Sequence, residues 1–539
     1  MDNDIYSVPD PKNEYESVIS HKIGVRMAKK FTLLMKWVLL TKEHPELHDK
    51  IREYLTNHPE EINKQNSKNF TALMLACQYS QSKSTDETVL ILISFGADIR
   101  LNDDRCHDAL AIATEHSRIN SSESTVKILI DAGADPNTKS DRLWTPLMRS
   151  ARFCHQSSTF NTVKMLIDAG ANLNEKNNDG WTALMIATRY YDEGSGIDVI
   201  KLLIEAGCNV NETKNDGNTA LMVAIRGDEK DTNEDVIKVL IEAGSNLLYN
   251  NNSELCAFTK ALANTKGLKQ ENIIRLMIDN GMNINGDIGG GFTPLLYACN
   301  SNPQTNTVKM LIDAGSNVNA KTHQGSTALS LIISSTYANK EDIVNMLIAH
   351  KADVNIELND KNTLLILACH NSNKNIIKML IEKGVNINAK NKNDETALIT
   401  VCSTTCNEEI VNLLIDHGAD VNNVTNNNCT SLLYACQKSQ KNVIMKLIDH
   451  GARLNVMDKS NNTPMSYILE SALENKNELI TLFIDMGYEL TPKYIKKLSN
   501  NETTIMYNHL EHYFIKKHIK KIIISISLNI FHNYPIHSN

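Results

Sequence analysis

One glycine recurs down this chain at a nearly constant interval. It stands at Gly96, Gly133, Gly170, Gly207, Gly244, Gly281, Gly315, Gly384, Gly418, Gly451 and Gly487, and Lys351 holds the position in one further copy. The first five steps are each 37 residues, the next is 34, and later ones fall between 33 and 36. An apolar stripe at helical spacing precedes each, as Val199, Ile200, Leu202, Leu203 and Ile204 precede Gly207, so the glycine reads as the left-handed residue that stops a helix. A unit of this length cannot bury its own apolar face, and a fixed period of it predicts units stacked on their neighbours.

Asn178 to Asn211 is one such unit. It opens on the turn Asn178-Asp179-Gly180, where a glycine accepts the positive φ that a side chain resists. Thr182 stands where an N-cap belongs, Ala183 to Ala187 follows as a short apolar helix, and a second helix runs to Gly207. The copies share the starts Thr145-Pro146-Leu147, Thr293-Pro294-Leu295, Thr182-Ala183-Leu184 and Thr219-Ala220-Leu221, and the exits Ala134-Asp135-Pro136-Asn137, Ala352-Asp353-Val354-Asn355 and Ala419-Asp420-Val421-Asn422. In period and in these motifs the chain resembles the ankyrin-repeat family. The resemblance implies an all-α fold, a curved ankyrin solenoid of about twelve helix-turn-helix repeats with hairpin loops over residues 62–490. Residues 1–61 are expected to form an N-terminal tail and helical cap, and 491–539 a basic C-terminal cap or tail.

Two departures from the family pattern stand out. The histidine expected after the leucine is absent in every copy, being Met74, Met148, Met185 and Met222 in four of them, so apolar packing is expected to replace its ties between repeats. The first-half units also carry four extra residues between their helices, as at Tyr191 to Gly196. With the abundance of Asn, Lys and Ile, these traits resemble the multi-copy ankyrin families of giant amoeba-infecting, mimivirus-like DNA viruses. The sixth copy, near 248–285, is degenerate: Glu254-Leu255-Cys256-Ala257-Phe258 replaces the Thr-Ala-Leu start, and its uncapped first helix is expected to open most readily.

Composition narrows the function classes. A net charge of −8 gives no sign of a nucleic-acid binder, although from residue 491 onward there are seven Lys against two Glu. Eleven cysteines are too few for a disulfide scaffold, and Cys77, Cys299, Cys369, Cys402 and Cys436 share one register of the first helix, where a small buried residue belongs. Cys402 and Cys406 are four apart with no histidine cluster to complete a zinc set. No run of eighteen apolar residues predicts a membrane span, and Phe31 to Leu40, broken by Lys36, does not read as a signal peptide. A cytoplasmic location, the host cytoplasm for a viral protein, and a monomeric state are expected.

No chemistry is expected of the chain. Gly286-Asp287-Ile288-Gly289-Gly290-Gly291 lacks the Lys-Ser/Thr of a phosphate loop and falls where other copies turn; His509, Glu511 and His512 do not complete a metal motif. No catalytic residue, cofactor or metal is predicted. The tail 515–531 fits a helical face and a period-two strand equally, leaving a cap helix, a weak peripheral membrane contact and a strand-like segment open.

What remains is surface. The resemblance implies a concave groove lined by the residue between turn and Thr, here Phe70, Trp144, Trp181 and Phe292, and by the end of the first helix, here Arg152, Arg189 and Arg226 at intervals of 37. Rigid aromatics are common interface anchors, and a row of guanidinium groups suits an acidic or phosphorylated segment. Two plainer readings compete: rings packed on the next hairpin, and arginines paired with Asp192, Glu193 and Asp228. The family also implies asparaginyl hydroxylation at hairpin asparagines, with Asn355 and Asn422 the best matches. The reading is a non-catalytic scaffold for protein partners, viral and aimed at host proteins; the alternative is a substrate-recognition adaptor of a ubiquitin ligase, for which neither end supplies an F-box.

Overall fold

The computed structural model describes residues 31–154, 158–191, 196–225, 233–301, 303–470, 476–489, 511–515 and 517–518. Among them the chain is helical throughout, with two isolated bridges, Cys154 to Ser158 and Glu357 to Thr363, and no strand. The helices come in pairs. They fall into two compact units, Met1–Gly289 and Gly290–Asn539, whose boundary lies inside the glycine cluster Gly286 to Gly291. In each unit first helices pack on first helices and second on second: Ala72–Tyr79 on Ala109–His116 on Pro146–Phe153 on Ala183–Arg189, with Asp86–Ser94 on Glu123–Asp131 behind them.

Local chemistry explains the pair. The Thr182 hydroxyl accepts from the Met185 amide at 3.3 Å and the Thr145 hydroxyl from Met148 at 3.2 Å, each satisfying one of the orphan donors of a helix start. The recurring glycines all take positive φ, Gly207 at 90°, while Lys351 is held at 67° without the freedom of a glycine. At the hairpin, Gly180 has φ of 81° and the next hairpin presses on it: a Cβ there would lie 2.6 Å from the Asn215 backbone nitrogen.

Stacking is then fastened in three ways. Leucines, isoleucines and the four methionines in place of histidine are buried, Met74, Met148, Met185 and Met222 to 1% exposure or less. Polar ties have not vanished with the histidine; they have moved. The buried hydroxyl of Thr88 donates to Thr41 at 2.8 Å, that of Thr125 to Ser80 at 2.6 Å and that of Thr162 to Ser117 at 2.8 Å, a ladder joining the second helix of each of the first three repeats to the first-helix end of the helix pair before. Thr41 belongs to the helix pair Leu33–Val38 and Leu47–Asn57, which therefore packs on the first regular repeat in the register of a repeat. Third, hairpin asparagines clamp the following unit: Asn137 donates to the Gly170 carbonyl at 3.2 Å and accepts from the Asn172 amide at 2.7 Å, and Asn422 does the same with Gly451 at 3.0 Å and Arg453 at 2.8 Å.

The sixth copy lacks both devices. Leu248 stands where the clamp asparagine belongs, and Cys256 replaces the capping threonine. The helix Ala257–Asn264 forms nonetheless, with Thr259 Oγ1 accepting from the Cys256 amide at 2.9 Å and Phe258 fully buried.

The cysteines are part of this packing. Cys77, Cys299, Cys369, Cys402 and Cys436 are at most 1% exposed, and burial pushes the Cys299 thiol up to about 12. The hydrogen bond that the Cys402 thiol donates to its neighbour Cys406, with burial, raises Cys402 as well. His512 meets Asp485 at 2.5 Å; His509 lies outside the described residues. The tail is helical at 511–515 and 517–518, with Ile515 exposed, and the remainder of 515–531 lies outside the description.

Candidate protein-interaction face

In the first unit the hairpins and first helices of the second, third and fourth repeats enclose a cavity of about 700 Å³. Trp144 and Trp181, each directly before a capping threonine, are part-buried and both line it. They reach it because Ser140 and Asn177 hold the hairpins: the Ser140 hydroxyl accepts from the Trp144 amide at 3.2 Å and the Asn177 carboxamide from the Trp181 amide at 2.9 Å. Lys214 from the next hairpin stands 5.1 Å from the centre of the Trp181 ring.

Two arginines one turn apart on Pro146–Phe153 behave differently. Arg149 is consumed internally: Nη1 donates to Glu115 Oε2 at 2.7 Å and Nη2 meets His107 Nε2 at 2.5 Å. Since a guanidinium only donates, His107 Nε2 must be the acceptor, which puts the ring proton on Nδ1, 3.4 Å from the buried Asp103 carboxylate. Burial first, and then the Arg149 charge, hold His107 below its ordinary pKa against the pull of Asp103, Glu115 and Asp141. Arg152, by contrast, has no carboxylate among the described residues. Its guanidinium lies 5.5 Å from the Trp144 ring centre and 5.1 Å from those of Phe153 and Tyr190, a cage of aromatic faces.

Of the residues singled out from sequence, Trp144, Trp181 and Arg152 thus meet at one cavity. Arg189 is exposed and lies outside its lining. Arg226 lies outside the described residues, as do Asp192, Glu193 and Asp228, the carboxylates considered as partners for the row. Phe70 is part-buried on an earlier hairpin, and Phe292 belongs to the second unit, where it packs edge-on against Tyr297 at 6.3 Å. That second unit has a smaller cavity of about 360 Å³, lined by His370, Lys392, Glu395 and asparagines, with no tryptophan or arginine. Sequence reasoning missed Arg149, Arg105, Arg142 and His107. Arg149 carried a signal: its column is Leu75, Ile112 and Ile186 in neighbouring copies, and a cation recurs there only as Lys260 in the degenerate sixth copy.

The two hydroxylation candidates also part. Asn422 has its carboxamide engaged with Gly451 and Arg453, whereas the Asn355 carboxamide has no partner among the described residues and only its amide is used, donating to Asp353 at 2.9 Å.

Paired helices stacked through capped starts, glycine-stopped ends and hairpin clamps define a repeat protein of the ankyrin class. The family profile described as ankyrin repeats (3 copies) matches overlapping stretches from residue 34 to residue 494, and the chain belongs to that family. Proteins of this family are typically non-catalytic and serve as scaffolds for protein–protein interaction. Among known proteins, an ankyrin repeat protein of Acanthamoeba polyphaga mimivirus is similar, 32% identical over 75 residues. That match covers 14% of this chain and 12% of the viral protein. No helix among the described residues is long and apolar enough to cross a membrane.

Proposed function

We propose that this chain is a non-catalytic scaffold, made by an amoeba-infecting virus and directed at host proteins, that takes its partners on the face formed by repeats two to four. One observation carries the reading: two of the chain's three tryptophans and a guanidinium without a carboxylate partner among the described residues line one cavity on the face that ankyrin proteins present to partners. Indole rings offer large contact area at small entropic cost, and tryptophan and arginine are both enriched among the residues that carry most of the binding energy at interface centres. Viral origin is supported by the short mimiviral match and by methionine in the histidine position of four repeats, Met74, Met148, Met185 and Met222.

The test is affinity capture from an Acanthamoeba lysate, with mass spectrometry, using the full chain and a Trp144→Ala, Trp181→Ala variant whose helicity is checked by circular dichroism. A set of proteins retained by the parent and lost by the variant is expected. Retention indifferent to both indoles overturns the assignment of the face, and ubiquitin-ligase subunits among the indole-independent proteins would favour the adaptor reading.

A further inference from the structure

Arg152 indicates what chemistry this face accepts. A guanidinium carries N–H donors in a fixed fork, and π faces answer its charge without accepting those hydrogen bonds in its plane. Arg152 is part-buried, and no acceptor among the described residues reaches it, because Arg149 one turn earlier has taken Glu115 and His107. Arg105 and Arg142, on successive hairpins, line the same cavity, and neither side chain has an ion-pair partner among the described residues. Asp141 and Asp179 line it too, likewise without a cation within pairing distance among the described residues.

We propose, resting on the partner-binding reading above, that this cavity recognises a phosphorylated tyrosine with a basic residue close by, within an extended segment of a partner protein. A phosphate presents several acceptor oxygens and close to two negative charges, so it can satisfy Arg152 and a second guanidinium together, which a single carboxylate does less well. The indoles of Trp144 and Trp181, each with a cation over its ring, line the cavity as aromatic walls for the phenol ring, and about 700 Å³ admits an aromatic side chain with its flanks. Asp141 and Asp179 take the flanking cation and disfavour a nucleoside triphosphate, whose extra charge they would repel. The net charge of −8 works against a nucleic-acid strand in the same way.

The experiment uses the full chain and fluorescein-labelled peptides with a central phosphotyrosine, tyrosine, phosphoserine or glutamate between lysines, read by fluorescence polarisation, with ATP as competitor. The phosphotyrosine peptide is expected to bind at least about tenfold tighter than each of the other three, and Arg152→Ala to remove at least about tenfold of that affinity. Arg152→Lys keeps the charge without the fork, and the same loss is expected; Lys127→Ala, exposed on the second helix Glu123–Asp131 and outside the cavity, should change binding by less than about twofold. Equal binding of tyrosine and phosphotyrosine, equal binding of phosphoserine, tighter binding of ATP, or full affinity in Arg152→Lys would each overturn the proposal. If no peptide binds while protein capture still depends on the indoles, the phosphotyrosine assignment falls and the scaffold reading stands. If capture is also indifferent to the indoles, both fall.

Discussion

Replacing Asn422 by alanine should loosen one joint of the stack, and replacing Asn355 by alanine should not, although the two stand in near-identical hairpins. Asn422 donates to the Gly451 carbonyl at 3.0 Å and accepts from the Arg453 amide at 2.8 Å, so its loss removes two bonds between adjacent repeats. Each is worth about 1 kcal/mol net, and because both partner groups lie at the surface, water answers them in the variant; the expected cost is about 1–2 kcal/mol. Asn355 has no side-chain partner among the described residues, so Asn355→Ala should stay within about 0.5 kcal/mol of the parent. In a repeat array the effect is local, since stability is close to a sum over neighbouring interfaces. Native-state hydrogen exchange of the Arg453 amide is therefore the assay, and a cost of about 1.4 kcal/mol appears there as a roughly tenfold faster opening. Equal exchange at Arg453 in parent and Asn422→Ala, or equal destabilisation by the two variants, would show that the clamp is not what holds the hairpins together.

Two further outcomes follow from the backbone and the site. Lys351 sits at φ of 67° where its counterparts are glycine, so Lys351→Gly should stabilise the second unit by up to about 1 kcal/mol, seen as a later urea midpoint with unchanged slope. His107 is held neutral below its ordinary pKa of 6.5, so between that folded value and 6.5 the unfolded chain binds more protons, and stability contributed above 6.5 is lost as the pH falls. His116, lowered by burial, acts in the same direction, so the measurement is the difference between the parent and His107→Gln: the parent should lose more stability on acidification through this window. Parallel pH profiles would remove His107 from the account.

Much of this fold was legible in order along the chain because its determinants are local. A threonine three residues before an amide it can cap, an apolar stripe at 3.6 spacing and a glycine able to take positive φ act within a few residues, and the structure has them at Thr182, at Val199 to Ile204 and at Gly207. Stacking followed from the same pattern, since no pair could bury its face alone. Contacts between repeats were decided elsewhere. Thr88, Thr125 and Thr162 make a ladder with partners more than forty residues away, a matter of side-chain direction rather than of spacing. Arg149 and Arg152 are three apart on one helix, yet only the first finds a carboxylate, because Glu115 and His107 project from the preceding repeat toward it alone. Asn355 and Asn422 read alike in sequence and differ in whether the next hairpin comes within hydrogen-bonding reach. Sequence by itself determined the brick and its period; only the packed chain decided which polar side chains meet across the joints, because those meetings depend on side-chain direction between repeats and not on spacing along the chain.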